Sequence, residues 1–187
     1  MESKFVPAAL RSAGVALLFA ACGALSSYIM STDSDARWLV LAVPLPFVFL
    51  SFLLFLRHTP KGLLALPLNV AVWFAAYRIA GDMAVYAGDD RPFLPMLLAG
   101  TVGGLGVTLA AAIGYRRLLS AKYLIAAAII GGVSAVPFGL WLRSGSDPLQ
   151  AIYFRSAFAI WQAAVGTFLY VVCNEFKKAI PPESSAH

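Results

Sequence analysis

Six apolar runs, each about 20 residues long, follow one another along the 187-residue chain and leave little room for anything else. One helix needs about 20 apolar residues to cross a bilayer, and helices satisfy their own backbone hydrogen bonds in lipid. The sequence therefore predicts an all-α, polytopic membrane protein, a bundle of six transmembrane helices in a single domain. The predicted spans are 10–30, 38–56, 63–86, 93–115, 123–142 and 151–176, and a flexible tail is expected at 177–187.

The composition excludes several classes of protein. Hydrophobic residues make up 60% and charged residues 12%, against about 25% charged residues in soluble domains. A soluble catalytic domain therefore has no place in this chain. The net charge of +5 is scattered at the ends of apolar runs, so no nucleic-acid partner is expected. Cys22 and Cys173 lie far apart in predicted spans, where they fit as small core residues rather than metal ligands, and no metal and no cofactor are expected.

The charge of the connecting segments alternates in sign along the chain, and this pattern predicts the orientation of the protein in the membrane. Lys and Arg are in excess on cytoplasmic loops, so both termini are expected in the cytoplasm. The predicted cytoplasmic side holds Lys4, Arg11, Arg57, Lys61, Arg116, Arg117, Lys122, Lys177 and Lys178. The other side holds Arg37, Arg91 and Arg143 beside Asp33, Asp35, Asp89, Asp90 and Asp147.

The third run carries an acid and a base inside a membrane-spanning segment, which makes it the predicted functional helix. Arg78 and Asp82 are four residues apart and therefore share one helix face, and charge at membrane depth usually faces a protein interior, a partner or a pathway. Arg155 lies near the outer end of the sixth run. The three are expected to meet in an outward-facing pocket, with a lining of Gln162, Trp161, Tyr77 and Tyr86. Two cations and one anion suit a small polar or anionic solute.

The same cluster also fits a structural role. A buried ion-pair network would fix helix register, and arginines near the interface reach the outer headgroups. In the functional interpretation, Arg155→Ala should abolish binding or transport while leaving expression and thermal stability close to wild type. A variant that fails to fold would favour the structural role.

Prolines and an amide predict local features of the second and third spans. Pro44 and Pro46 lie in the first half of the second span, where they predict a kink or a loosened turn. Asn69 falls nearly opposite Arg78 on the third helix, so it is expected to form an interhelical hydrogen bond rather than to contact a ligand.

Small residues predict two close helix contacts. Gly100 and Gly104 favour close packing of the fourth helix, most simply against the glycines of the fifth, where Pro137 also predicts local distortion. Ala16, Ala20 and Ala24 recur every four residues on the first helix. Either set is expected to serve packing within the chain or contact with a partner membrane subunit or a second copy.

Enzymatic activity is not expected, and we predict no catalytic residue. The histidines are His58, in a predicted turn, and His187, at the end of the chain, so no histidine-based metal site or triad forms in the membrane. The sequence contains no H-E-x-x-H and no G-x-S-x-G motif. Asp82 as a lone proton carrier fits a transporter better than a hydrolase.

Six helices, cytoplasmic termini, the alanine stripe and an outward site together resemble the substrate-binding S components of energy-coupling-factor vitamin transporters. The resemblance is one of architecture. It implies that Ala16, Ala20 and Ala24 dock onto a partner transmembrane subunit, with an ATPase supplied in trans.

The competing interpretation is a non-catalytic membrane subunit or effector that acts through helix contacts in a larger or oligomeric assembly. A channel is a third possibility, against which the missing ring of charge counts. The Ala-, Leu- and Gly-rich composition with short loops predicts a multi-pass protein of a bacterial inner membrane.

Overall fold

The structure is a computed structural model that describes residues 5–31, 42–87, 91, 93–144 and 149–178. Over these residues the chain is helical and contains no strand, as the apolar pattern predicts. The helices are α1 (Phe5–Ser31), α2 (Leu45–Leu54), α3 (Ala65–Ala87), α4 (Phe93–Ala112), α5 (Ala121–Ser134), α6 (Val136–Ser144) and α7 (Gln150–Lys178). Single 3₁₀ turns lie at Leu56–His58, Gly62–Leu64 and Arg116–Leu119.

Five helical segments are long and apolar enough to cross a membrane. They are Ala9–Ser31, Gly62–Tyr86, Phe93–Ala112, Ala121–Ser144 and Gln150–Glu175. The apolar helix Leu45–Leu54 has 10 residues, which at 1.5 Å per residue cover about half of a 30 Å hydrocarbon core. The described residues thus contain five helical segments long and apolar enough to span a membrane and one shorter apolar helix.

The prolines of the second run begin a helix rather than bend one. Residues 42–44 form a turn, Pro44 is the N-cap of α2, and Pro46 lies in the first helical turn. Proline is tolerated there because the first N–H groups of a helix have no intrahelical partner. Of the predicted kink or loosened turn, the structure shows a turn. Residues 38–41 of that span lie outside the described residues.

The fifth predicted span is divided into two helices. α5 ends at Ser134, Ala135 forms the break, and α6 begins at Val136 with Pro137 in its first turn. Proline removes one backbone donor and clashes with the preceding turn, which explains the distortion predicted for Pro137. The last helix runs through Lys178, two residues into the predicted tail. Residues 179–187 lie outside the described part of the chain, as do the aspartates of the three acidic loops.

The helices form a ring in which α1, α2, α3 and α4 are followed by α5 with α6, and α7 closes the ring against α1. α4 packs along α5 at glycine positions, as predicted: a Cβ on Gly100 would overlap the carbonyl oxygen of Gly131, and one on Gly104 would overlap that of Ala127. Gly100 and Gly104 therefore pack within the chain and offer no free face to a partner. α3 packs along α4 but does not pack along α7.

One end of the ring is filled by a hydrophobic core. Phe19, Phe55, Leu56, Leu118 and Leu169 are fully buried there and belong to one contiguous cluster. The hydroxyl of Tyr115 donates a hydrogen bond to the Phe55 carbonyl oxygen at 2.8 Å, which joins the segment after α4 to the end of α2. The described side chains at this end are therefore packed closely against one another.

The basic connecting segments gather at that filled end. Gly114, after α4, lies against Thr59, after α2, so the two turns share one end of the ring. We call it the basic end because the described segments there carry Arg57, Lys61, Arg116, Arg117 and Lys122. The opposite end contains the end of α3, the end of α6 with Arg143, and the starts of α4 and α7, and Arg91 lies there just before α4.

Candidate functional site

A cavity of about 300 Å³ lies between α3 and α7, the two helices that carry the predicted site. α1 contributes Met30 from its last turns, and α7 contributes residues 154–162 from its first half, so both helices line the cavity near the opposite end. Phe47 and Val107 belong both to the hydrophobic core and to the cavity wall. The core therefore forms the cavity floor on the side of the basic end.

Aromatic rings make up much of the cavity wall. On α3, Trp73 and Tyr77 are four residues apart, and their rings stack with centroids at 5.4 Å and an interplanar angle of 8°. On the other side, Phe154 contacts Phe158 at 5.1 Å and Trp141 at 4.9 Å between centroids. Phe47 and Trp161, at 5.9 Å between centroids, also line the cavity and pack with the hydrophobic core that forms its floor. Such surfaces favour a flat apolar ligand.

Two buried amides line the cavity, and each has one free oxygen. The Nδ2 group of Asn69 donates to the Ala65 carbonyl oxygen at 2.9 Å in the same helix, and Nε2 of Gln162 donates to Ser26 Oγ at 2.9 Å on α1. Both side chains are 2% exposed. Asn69 Oδ1 and Gln162 Oε1 have no hydrogen-bond partner, and neither does the indole Nε1 of Trp161.

Unpartnered polar atoms in a buried site are costly, about 1–3 kcal/mol each by mutational measures. The residues of all three line the cavity, but each of these atoms has less than 1 Å² of accessible surface, so none of them is presented to it. Asn69 makes its hydrogen bond within its own helix, so the predicted interhelical bond is not the one observed.

The charged residues of the predicted site lie elsewhere. Arg78 and Asp82 form the predicted ion pair, with 3.4 Å between Arg78 Nη2 and Asp82 Oδ1, but their side chains are 73% and 58% exposed. Neither lines the cavity, and Tyr86 is also exposed and outside it. Among the described residues that line the cavity, none carries a formal charge.

Arg155 lines a second pocket, of about 340 Å³, that adjoins the first. The two share Met30, Trp141 and Phe154, and the second pocket also includes Ser31 and Gln150, at the end of α1 and the start of α7. Arg155 is thus at the opposite end, beside the cavity rather than within it. The structure does not bring Arg78, Asp82 and Arg155 into one enclosure.

Of the predicted lining residues, Tyr77, Trp161 and Gln162 meet in the cavity. Sequence reasoning missed Asn69 as a cavity residue, together with the aromatic residues of α6 and the start of α7. A signal was present: Phe138, Trp141, Phe154 and Phe158 all lie within the halves of two successive spans that converge on one connection. The charged residues Arg78 and Asp82 instead placed the predicted site on the outer face of α3.

No group of three His, Cys, Asp or Glu residues in the described ranges lies close enough to hold a metal ion. The arrangement can enclose a small molecule, stack against its ring and accept or donate a few hydrogen bonds. No family model, curated protein or solved structure matches the chain.

Proposed function

We propose that this protein is a multi-pass membrane protein that binds a small solute in the cavity between α3 and α7 and presents or translocates it. The observation that carries the proposal is the cavity itself, which is lined by residues of six helices and has a wall rich in aromatic rings. Pockets of about 300–1,000 Å³, mostly apolar with a few placed polar groups, are typical of small-molecule sites.

The proposed orientation supports an outward-facing site. If the basic end is cytoplasmic, as the positive-inside rule predicts, the hydrophobic core closes the cytoplasmic end and the cavity lies toward the outer end. A substrate-binding subunit, such as the S components that the architecture resembles, needs this one-sided arrangement. We propose six membrane crossings and two cytoplasmic termini on the same argument, with α2 as part of the second crossing.

The uncharged wall changes the expected solute. A polar or anionic ligand was predicted because two arginines were expected to face it, and both lie outside the cavity. An anion without a counter-charge pays a large desolvation cost. We therefore propose an uncharged solute, with Arg155 near the entrance rather than at the bound molecule.

Native mass spectrometry of the full chain in mild detergent tests the proposal. Ala80 lines the cavity on α3, and Ala80→Phe should fill it. Ala75, on the same helix, is exposed and outside the cavity, so Ala75→Phe is the matched control. Wild type and Ala75→Phe should retain a small molecule that Ala80→Phe lacks, with all three showing the same thermal midpoint. Equal retention by all three would contradict the proposal.

A second candidate function is that of a subunit in a membrane assembly. The exposed Arg78–Asp82 pair on the outer face of α3 favours it, as does the alanine stripe of α1, where Ala24 is exposed and Ala16 and Ala20 are half-buried. In the same spectra, a defined oligomer or a stoichiometric protein partner without any retained small molecule would support this function.

A further inference from the structure

One side of α3 is exposed although the helix belongs to a membrane-spanning segment. Ala71, Ala75, Arg78, Asp82 and Val85 are all exposed and follow one another at spacings of four, three, four and three residues, so they lie along one side of the helix. We call this side the charged face of α3. The segment that contains α3 also has the smallest buried share of the five spanning segments, 11% of its apolar stretch against 28% to 50% in the other four.

The two charges of this face lie inside the span rather than at its end. The segment runs from Gly62 to Tyr86, and at 1.5 Å per residue Asp82 and Arg78 lie about 6 Å and about 12 Å before its last residue. An arginine side chain is long enough to extend toward the headgroups, whereas aspartate has a single methylene group and stays near its own depth. Contact with lipid therefore leaves Asp82 in an unfavourable environment.

The ion pair within the helix does not use the full hydrogen-bonding capacity of either group. Arg78 Nη2 and Asp82 Oδ1 are 3.4 Å apart, which is longer than a charge-assisted hydrogen bond of about 2.7–2.9 Å. A guanidinium carries five N–H donors and a carboxylate accepts through both oxygens, and the bilayer interior offers no water to complete them. Both groups therefore gain from a second partner of opposite charge.

A second copy of the same face places such partners where they are needed. An α-helix turns by about 100° per residue, so Arg78 and Asp82 lie about 40° apart, on either side of the middle of the face. With a two-fold axis along the membrane normal, Arg78 of one copy lies on the same side of the contact as Asp82 of the other. The small side chains of Ala71 and Ala75 allow the two helices to approach. We infer that the protein forms a parallel homodimer through the charged face of α3, held by reciprocal ion pairs between Arg78 and Asp82.

Dimerisation is independent of solute binding, because the cavity lies on another side of α3. Asn69, Trp73 and Ala80 line the cavity, and among the described lining residues none belongs to the charged face. Within its own chain α3 is attached chiefly through α4. A second copy would therefore support the helix that forms one wall of the cavity, and it names the partner for the assembly function.

Charge reversal tests the reciprocal pairing. Arg78→Asp gives a face with two acids and Asp82→Arg gives a face with two bases, so neither variant should pair with itself, whereas a mixture of the two should form heterodimers. Arg143, on α6, is exposed, and Arg143→Asp is the control with the same change in charge. The full chain carries a donor or an acceptor fluorophore on a single cysteine at the exposed Ser120. Energy transfer in phosphatidylcholine vesicles is then measured against the protein-to-lipid ratio.

Wild type and Arg143→Asp should show energy transfer that saturates with the protein-to-lipid ratio. Each single reversal at Arg78 or Asp82 should raise the apparent dissociation constant at least about tenfold, because like charges then face each other. The equimolar mixture and the double reversal should return it to within about threefold of wild type, since both restore opposite charges across the contact.

Ala75→Phe separates dimerisation from solute binding. Its ring keeps the helices apart, so it should dimerise at least about tenfold more weakly, while the mass spectra still show the small molecule. A contact of one helix with one helix is lost on heating before the helices of each chain separate, so the thermal midpoint stays the same.

Three results would overturn the dimer. Wild type that shows no saturable energy transfer removes it, and equal transfer by wild type and both single reversals shows that headgroups or water satisfy the two charges. Failure of both the mixture and the double reversal to restore transfer removes the reciprocal pairing. If energy transfer follows the expected pattern but no variant retains a small molecule, solute binding fails and the dimer stands.

Discussion

At the scale of single residues, the polar side chains that line the cavity are uncharged, and the ionised ones of α3 lie outside it. The sequence makes Arg78 and Asp82 conspicuous because ionised groups are rare in spans, yet both side chains are exposed. Asn69 and Gln162 are less conspicuous and are nearly fully buried. A charged side chain lowers its free energy by reaching the membrane interface, whereas a buried amide oxygen keeps its cost until a partner arrives.

The Gln162–Ser26 hydrogen bond yields a prediction at this scale. Ser26 and Ser27 are both 0% exposed, but Ser26 accepts from α7, whereas Ser27 donates to Ala24 in its own helix at 2.7 Å. Ser26→Ala should lower the free energy of unfolding by about 1 kcal/mol or somewhat more, since it also leaves Nε2 of Gln162 unpaired. Ser27→Ala should change it by less than about 0.5 kcal/mol. Denaturant titration in mixed micelles measures both, and equal losses would contradict the interhelical role.

At the scale of elements, glycine placement sets how closely helices approach. α4 and α5 pack backbone to backbone because Gly100, Gly104 and Gly131 carry no side chains where they meet. In lipid no hydrophobic effect drives helices together, so close van der Waals contact of this kind is a main source of association. The fold therefore packs α4 closely against α5 and leaves α3 attached chiefly through α4.

Two glycine-to-alanine changes should have opposite effects on stability. At Gly104 a Cβ would overlap the Ala127 carbonyl oxygen, while at Gly14 it would meet no atom within 4 Å. Gly104→Ala should destabilise the protein by about 1–3 kcal/mol through overpacking. Gly14→Ala should be neutral or stabilising by up to about 1 kcal/mol through helix propensity. The same denaturant titration compares them, and a Gly104→Ala variant as stable as Gly14→Ala would refute the close α4–α5 contact.

At the scale of the whole molecule, one end is packed and the other contains the cavity. The apolar residues of the core meet at the basic end, whereas helices α6 and α7 bring aromatic rings to the opposite end. The packed core thus lies between the cavity and the basic end. Translocation by this chain would require rearrangement of the packed end or a partner subunit.

Site-directed labelling tests the proposed orientation. In a variant with Cys22 and Cys173 replaced by alanine, a single cysteine is placed at Arg91 or at Ser120, both exposed and at opposite ends of the ring. With a membrane-impermeant maleimide, intact cells should label Arg91→Cys, and Ser120→Cys should react only after permeabilisation. The reverse pattern would invert the topology. Labelling of both positions in intact cells would contradict the placement of the two ends on opposite sides of the membrane.

Sequence alone determined the helical, membrane-spanning class and the contact between Gly100 and the fifth span, because hydrophobic length and small-residue spacing are local properties of the chain. It also indicated that Gln162 and Trp161 face inward. Only the tertiary structure decided that Arg78 faces outward and that Asn69 shares a cavity with Gln162. The sequence of one helix does not specify which of its faces meets which neighbouring helix. The residues of α3 and α7 that face each other are therefore set by the packing of the whole ring.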